Sequence, residues 1–293
     1  MEETGFTCRI EADSRHPNGN RLTTMVVRYP RIVHSELLTH RRFSRNSASS
    51  RAIPILRMLQ DVARDPFLPI HWGKAQSGMQ AYEEVSPEVR ELAKAKIMTH
   101  FQQALQLCRE LNEMGLAKQV VNRYVEPWMW ITVVLTGTTA GWANFFALRC
   151  HGKAEPHIQK IAAMAREAMI ANRRNVRQLD YGEWHLPFFG RPGDEEIAPE
   201  DQPKISAARC ARVSYLTHDG LRDVAKDGDL YDRLVVEEPK HASALEHPAE
   251  AIRGNFTDPG LTAAAARYAG NFERGWRQLR KMIPREAVDT LDF

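Results

Sequence analysis

The stretch that decides the fold is residues 39–51, THRRFSRNSASSR. It holds four arginines, four serines, one histidine and one asparagine. Serine and asparagine side chains compete with a helical backbone for hydrogen bonds, so this composition predicts a polar loop that follows a helix. Forked guanidinium groups and serine hydroxyls suit a phosphate. From composition alone, a phosphate pocket and a solvated basic loop both stay open.

The flanking sequence predicts an α-rich α/β (α+β) protein with a few strands. Two strands are expected at residues 7–12 and 22–29, joined by a turn at His16-Pro-Asn-Gly-Asn20. Apolar periodicity and capping residues predict the helices. These are expected after Pro30, from Ser86, and at residues 118–124, 138–149, 155–174, 205–215 and 261–282.

The 293 residues predict one domain, 1–293, in which residues 181–202 form a linker or excursion. Residues 64–83 look irregular. Apolar residues make up 43% of the chain and charged residues 26%, which is typical of a globular protein. The net charge of +3 is too small to indicate nucleic-acid binding by itself.

Cysteine spacing and hydropathy exclude further classes. No two of the four cysteines form a C-x-x-C pair, so we expect reduced thiols and no metal site. The acidic N-terminus has no apolar run, and the longest apolar stretch falls short of the ~20 residues of a membrane helix. We therefore expect a cytoplasmic protein.

The order of residues in 39–51 carries more information than their composition. It resembles R-H-R-x-x-S-x-N-x-x-S-x-R, the signature of the flavin-dependent thymidylate synthases. Thr39 replaces the first arginine. The matching positions are His40, Arg41, Ser44, Asn46, Ser49 and Arg51.

Four other segments resemble the same family. They are Val121–Pro127 (VNRYVEP), Asn144–Arg149 (NFFALR), Ala208–Tyr215 (ARCARVSY) and His241–His247 (HASALEH). In typical members the last two precede the arginine–serine signature, whereas here they follow it. This order predicts a circular permutation, with residues 181–202 joining the permuted halves. Permutation is tolerated where chain termini lie close together at the surface. Residues 52–85 match no family segment.

The resemblance implies the family's chemistry and assembly. The family uses FAD, with NADPH and methylenetetrahydrofolate as co-substrates, to transfer a one-carbon unit to C5 of dUMP and so make thymidylate. Members have an α/β fold and form homotetramers with shared active sites. The resemblance therefore implies a pyrimidine nucleotide as partner and neither a membrane nor a nucleic acid.

The resemblance also assigns roles to individual residues. Arg149 matches the catalytic arginine that stabilises an ionised N3 of uracil, which is physically sound because a fixed cation favours the anion. The substrate-binding positions are Ser49, Ser50, Arg51, Arg123 and Arg149. The cofactor-binding positions are His40, Arg41, Ser47, Thr138, Asn144 and Ser243. Glu246 and His247 fit equally a site role or a buried structural pair.

Four positions depart from the family pattern: Thr39, Ser47, Glu36 and Ala140 replace an arginine, an acid, a glutamine and an arginine. The departures leave open a related reaction, such as hydroxymethylation, or another pyrimidine nucleotide. Two hypotheses of a different class also stay open, a nucleic-acid-binding protein without flavin and a non-catalytic flavoprotein. Arg277 and Arg280 are hypothesised to replace part of the lost positive charge.

Overall fold

The computed structural model describes residues 5–78, 80–215, 223–236, 240–253, 268–272 and 275–286. The described part contains eight strands and eight α-helices, a mixed α/β architecture that confirms the predicted fold class. The strands are β1 Thr7–Arg15, β2 Arg21–Pro30, β3 Ser44–Ser47, β4 Trp130–Thr138, β5 Arg177–Gln178, β6 Trp184–His185, β7 Ala249–Ala251 and β8 Trp276–Gln278. The helices are α1 His34–Leu38, α2 Ile55–Arg64, α3 Pro87–Glu113, α4 Lys118–Val121, α5 Thr139–Arg149, α6 Pro156–Ala171, α7 Gln202–Ala211 and α8 Val224–Val236.

A five-stranded sheet in the order β3-β4-β2-β1-β5 organises the fold. The predicted hairpin is confirmed, because β1 pairs with β2 antiparallel and Gly19 has the positive φ that its turn requires. Every pair in this sheet is antiparallel except β1 with β5. None of the described helices combines the length and the apolar character needed to cross a membrane.

Both faces of the sheet are covered by helices. Alternate residues of β2 point to opposite faces, so Met25 and Val27 pack in the layer that contains α5 and α6. Val26 packs in the opposite layer, which contains α7 and α8. A third apolar cluster joins α2, α3 and α4 beside the sheet. Large buried aromatic rings such as Trp142 and Phe145 fill the α5 layer.

The predicted loop at residues 39–51 is wrong in part, because Ser44–Ser47 forms the edge strand β3. It pairs antiparallel with Val133–Thr136 of β4. The serine and asparagine side chains, whose composition predicted a loop, form tertiary hydrogen bonds instead. The Asn46 amide donates to the Cys210 carbonyl at 2.7 Å, and Gln278 donates to the Ser44 hydroxyl at 3.1 Å.

The predicted helices are largely confirmed within the described residues. Ser86 caps α3 by accepting from the backbone N–H of Val89, as its sequence indicates. Helices α2 and α8 and strand β4 were not predicted. The helix expected at 261–282 is wrong over 276–282, because Trp276–Gln278 is a strand and Leu279–Met282 is a 3-10 helix. Residues 261–267 and 273–274 lie outside the described residues.

Residues 181–202 are tied into the fold. Their strand β6 joins β7 and β8 in a second, antiparallel sheet. Asp194 of this segment forms a buried ion pair with Arg209 of α7 at 2.8 Å, and Arg209 also pairs with Asp227 of α8 at 3.0 Å. Buried charges are stable only when paired in this way, so these ion pairs hold residues 181–202 against α7 and α8.

The two late family segments lie against the arginine–serine signature. Cys210 accepts from Asn46, and Ser243 donates to the Asn46 side-chain oxygen at 3.0 Å. A permuted chain needs such contacts, since segments that are distant in sequence must meet in space. The permutation, and the role of residues 181–202 as its joint, remain proposals.

Candidate active site

Arg149 ends α5 and reaches across to α1. Its Nη1 donates to Glu36 Oε2 at 2.8 Å, and its Nε donates to His40 Nε2 at 2.9 Å. Weaker contacts of 3.4 Å join Nη2 to the Glu36 carbonyl and to the Thr39 hydroxyl. Only 20% of the Arg149 side chain is exposed. The predicted catalytic Arg149 is therefore held tightly by Glu36 of α1 and by Thr39 and His40 of the turn that follows α1.

His40 is buried and neutral. Its burial, reinforced by the nearby cations Arg149 and Arg45, lowers the His40 pKa to about 4. A neutral ring can accept the hydrogen bond from Arg149, which requires the proton to lie on Nδ1. The ring packs edge-on against Phe145 with centroids 4.9 Å apart. His40 thus fixes the orientation of the Arg149 guanidinium.

A polar groove of about 360 Å³ opens beside Arg149. It brings together four predicted residues, the catalytic Arg149 and the cofactor-binding positions His40, Arg41 and Asn144. Its remaining lining residues are Thr39, Arg42, Gly141 and Leu148. A Cβ at Gly141 would lie 3.3 Å from the Arg42 carbonyl oxygen, so glycine lets α5 approach the signature closely.

A second arginine cluster surrounds Glu126, in the 3-10 helix Asn122–Trp128 that follows α4. Glu126 Oε1 lies 3.3 Å from Arg31 Nη2, 3.4 Å from the Ser50 hydroxyl and 3.6 Å from Arg123 Nη1. The Asn122 amide holds the adjacent turn by donating to the Ser50 carbonyl at 2.7 Å. Of the predicted substrate-binding residues, Ser50 and Arg123 lie in this cluster.

Ser49 and Arg51 lie in the same turn as Ser50. The Ser49 hydroxyl accepts from the Arg51 backbone N–H at 3.3 Å, and the Arg51 side chain is exposed. The predicted substrate-binding set is thus divided between two clusters, Arg149 on one side and the Glu126 cluster on the other. The segment that runs from Arg31 through α1 to Thr39 connects them.

Three predicted cofactor-binding residues lie outside the groove lining. The Ser47 hydroxyl is 3.4 Å from Nε2 of His34 on α1. Thr138 is buried and caps α5, since its hydroxyl accepts from the Gly141 N–H at 3.5 Å. The Ser243 hydroxyl donates to the side-chain oxygen of Asn46 on β3. Their roles in cofactor binding remain predictions.

Glu246 and His247 do not pair with each other. Glu246 forms an ion pair with Arg280, and the fully buried His247 shares a hydrogen bond of 2.7 Å with Thr136. Arg277 pairs with Glu250. Arg277 and Arg280 are thus both engaged by carboxylates, which weakens the hypothesis that they replace charge at the site.

Sequence reasoning missed Arg31 and Glu126 and did not identify the partner of Glu36. The family pattern indicated only that Glu36 replaces a glutamine, yet Glu36 forms an ion pair with Arg149. Glu126 stands three residues after Arg123, a helical spacing that could have indicated the contact. Arg31 carried no sequence signal. Within the described residues, no group of three metal-ligating side chains is arranged to hold a metal.

The groove fits part of a flavin dinucleotide. The guanidinium groups of Arg41 and Arg42 and the Asn144 amide are donors that suit a diphosphate and its sugars. Its volume lies near the lower limit of the roughly 300–1,000 Å³ of ligand pockets, so one chain would enclose only a portion of FAD. The remainder would need walls from outside this groove.

The chain is thus an α/β protein with a mixed five-stranded sheet, and arginines converge beside the edge strand of that sheet. The family model described as "Thymidylate synthase complementing protein" matches residues 20–171, just over half of the chain. The chain belongs to this family, whose members are flavin-dependent enzymes that modify dUMP.

The chain is also similar to solved structures of a UMP/dUMP methylase, PolB, from Streptomyces cacaoi. With 5-Br dUMP bound, the identity is 17% and the TM-score 0.42, over 52% of this chain and 71% of that chain. With 5-Br UMP bound, the identity is 15% and the TM-score 0.46, over 58% and 95%. No curated protein matches the chain.

Proposed function

We propose that the protein transfers a one-carbon unit from methylenetetrahydrofolate to C5 of a pyrimidine nucleotide, with FAD as cofactor and NADPH as reductant. The first candidate substrate is dUMP, which would give thymidylate. The observation that carries the proposal is the groove in which family positions His40, Arg41, Asn144 and Arg149 meet. Residues from distant parts of the chain meet there, which a solvated basic loop would not require.

Each residue has a role in this proposal. Arg41, Arg42 and Asn144 would bind the cofactor, and Arg149 would donate to the uracil ring at the border of the groove. His40 orients Arg149 by accepting from its Nε. Bound FAD would supply the redox chemistry of the transfer. A fixed guanidinium beside the ring favours negative charge on the ring and so makes C5 a better nucleophile.

The groove supports a shared active site. Because one chain would enclose only part of FAD, we propose that neighbouring subunits of a homotetramer complete the cofactor site. A cytoplasmic location, where folate co-substrates and reduced thiols are available, accompanies this proposal. The measurement of mass by analytical ultracentrifugation, with and without FAD, tests the assembly.

A second candidate is the hydroxymethylation of dUMP or the modification of another pyrimidine nucleotide. The observation that favours it is the 2.8 Å ion pair between Glu36 and Arg149. A carboxylate at this distance offsets the guanidinium charge that would stabilise an ionised uracil. The site therefore differs from the family pattern in the surroundings of Arg149, the residue proposed to act on the uracil ring.

The deciding experiment is an incubation with FAD, NADPH, methylenetetrahydrofolate and dUMP, followed by mass spectrometry of the nucleotide. A gain of one CH2 would support thymidylate synthesis. A hydroxymethyl adduct would support the second candidate. Unchanged dUMP beside a bound flavin, seen by its visible absorbance, would reject dUMP as substrate. Salt-sensitive binding of polynucleotide without flavin would favour a nucleic-acid-binding protein instead.

A further inference from the structure

A cavity of about 520 Å³ lies between the segment 181–202 and the helices α7 and α8. Its lining comes from residues 193–201, 204–205 and 224–232. It belongs to the layer on the α7 side of the main sheet, whereas the groove beside Arg149 belongs to the α5 layer. The cavity is therefore separate from the proposed active site.

Tyr231 is the residue that indicates a ligand in this cavity. Its ring packs in the apolar cluster of α7 and α8, and only 8% of the residue is exposed. It lines the cavity, and within the described residues its hydroxyl has no hydrogen-bond partner. A buried hydroxyl without a partner is costly, because it has lost the hydrogen bonds that water provides. A polar group bound in the cavity would supply that partner.

The charged part of the lining is acidic. Glu196, Asp201 and Asp232 carry three negative charges, and Lys204 carries one positive charge, which leaves a net charge of −2. Lys204 Nζ donates to Asp201 Oδ1 at 2.6 Å, so these two charges offset each other. The carboxylates of Glu196 and Asp232 form no ion pair with any described residue, and they are left to attract a cation.

Lys204 shows which chemical group this lining stabilises. Its hydrogen bond to Asp201, together with the nearby Tyr231 and Asp232, raises the pKa of its ammonium group. The buried Ile205 adds an apolar wall beside these oxygens. Such a combination suits an ammonium group on a chain of methylenes, because the apolar wall covers the chain and the oxygens accept from the charged end.

Gly228 keeps the cavity open. It lies inside α8, where glycine is less favourable than alanine. A Cβ at this position would meet no atom within 4 Å, so no close contact in the fold requires glycine. A larger side chain would project into the cavity that Gly228 lines.

The arrangement of the carboxylates favours an extended organic cation over a metal ion. Among the residues that the structure describes, no three carboxylate, histidine or cysteine side chains are grouped to hold a metal. Glu196 lies in the 3-10 helix Asp194–Glu196 and Asp232 in α8, so the two free carboxylates stand on different walls. The volume also lies within the roughly 300–1,000 Å³ of small-molecule sites.

Independently of the proposed function, we propose that this cavity binds an aliphatic diammonium cation. Its two ammonium groups donate to Glu196 and Asp232, one of them also donates to the Tyr231 hydroxyl, and its methylenes lie against Ile205. The cation thereby joins the segment 181–202 to α8, and it stabilises the folded chain because the unfolded chain has no such site.

The test is calorimetric titration of the full chain with putrescine (1,4-diaminobutane) in about 0.15 M salt, which screens nonspecific attraction. We expect a Kd of about 0.1–1 mM. Butylamine has one charge and should bind at least about fivefold more weakly, and the uncharged 1,4-butanediol should not bind. Putrescine at about ten times its Kd should also raise the Tm by about 2–4 °C.

Variants of the lining locate the site. Asp232→Asn and Glu196→Gln should each weaken putrescine by about three- to tenfold, and Tyr231→Phe by about two- to fivefold. Gly228→Leu should fold, since leucine is a good helix former and open space surrounds the Cβ, and it should weaken putrescine by more than about tenfold. The matched control is Asp229→Asn, an exposed acid of α8 outside the lining, which should change the Kd by less than about twofold.

Three results would overturn the proposal. The first is the absence of saturable putrescine binding to the wild type up to about 20 mM. The second is an unchanged Kd in the folded Gly228→Leu variant. The third is an equal loss in Asp229→Asn and Asp232→Asn, which would indicate diffuse surface attraction. None of these measurements involves FAD or a nucleotide, so a failure here leaves the proposed function intact.

Discussion

The two arginine–carboxylate sites at the ends of the Arg31–Thr39 segment differ in how firmly they are made. At one end Arg149 pairs with Glu36 at 2.8 Å, is oriented by His40 and is largely buried. At the other, Glu126 is loosely shared by Arg31, Ser50 and Arg123. Pairs screened by water contribute little, and partly buried, well-oriented pairs are costly to break. The Arg149 site, called the tight site below, is thus preorganised. The Glu126 cluster, called the loose site below, can exchange the carboxylate that its donors share.

The largest expected effect comes from removing the arginine of the tight site. Arg149→Met should lower kcat/KM for the nucleotide by about 100- to 1,000-fold, as expected for the loss of a fixed donor at developing charge. Steady-state rates with product quantified by mass spectrometry measure this. Arg149→Lys keeps the charge without the fork and should remain strongly impaired. If Arg149→Met retained most of its turnover, the tight site would be only structural.

Acid should disturb the tight site through His40, which has no counterpart at the loose site. Its folded pKa of about 4 lies below the unfolded value of 6.5, so its stabilising contribution is complete above pH 6.5 and is lost as pH falls towards 4. The loss is at most about 1.4 kcal/mol per pH unit. Urea unfolding at pH 7, 6 and 5 should show a smaller pH dependence for His40→Asn than for the wild type. Equal slopes would contradict the neutral, buried state of His40.

Glu36→Gln tests whether the ion pair between Glu36 and Arg149 lowers kcat/KM for dUMP. It restores the residue type usual in the family and removes the carboxylate charge beside Arg149. We expect kcat/KM for dUMP to rise about five- to tenfold, because the guanidinium charge is no longer offset. Glu36→Asp retains the charge and should show no gain. A fall in Glu36→Gln would mean that the carboxylate is needed to hold Arg149 in place.

The smallest expected effect belongs to the loose site. Arg123→Met removes its most exposed arginine and should raise KM for dUMP by about threefold with kcat unchanged, since Arg31 and Ser50 remain. Initial rates across a range of dUMP concentrations separate the two constants. A drop in kcat as large as that of Arg149→Met would remove the distinction between the two sites.

Local sequence patterns predicted the elements whose signals are local. The β1–β2 hairpin, the capped start of α3 and the capped α5 follow from turn, cap and periodicity rules. Strand β3 could not be predicted in this way. Its serines and asparagine favour a loop by propensity, and they form a strand because β4 supplies the backbone ladder and α7 supplies a partner for Asn46.

The candidate site shows the same division. The family resemblance assigned Arg149 to the substrate and His40, Arg41 and Asn144 to the cofactor, and the structure places these four residues along one groove. The resemblance did not predict the partners of those residues. Arg149 and Glu36 are separated by 113 positions, and Arg31 and Glu126 by 95, so no local pattern connects them.

By itself, the sequence determined the family, the helices that carry strong caps and apolar stripes, and the family positions His40, Arg41, Asn144 and Arg149. These features depend on which residues stand at fixed spacing, and that information can be read directly from the sequence. Only the tertiary structure decided which carboxylate each arginine faces and how tightly it is held. Charge pairing acts through space at a few ångströms, and the distance between two side chains exists only after the sheet and its helices have packed.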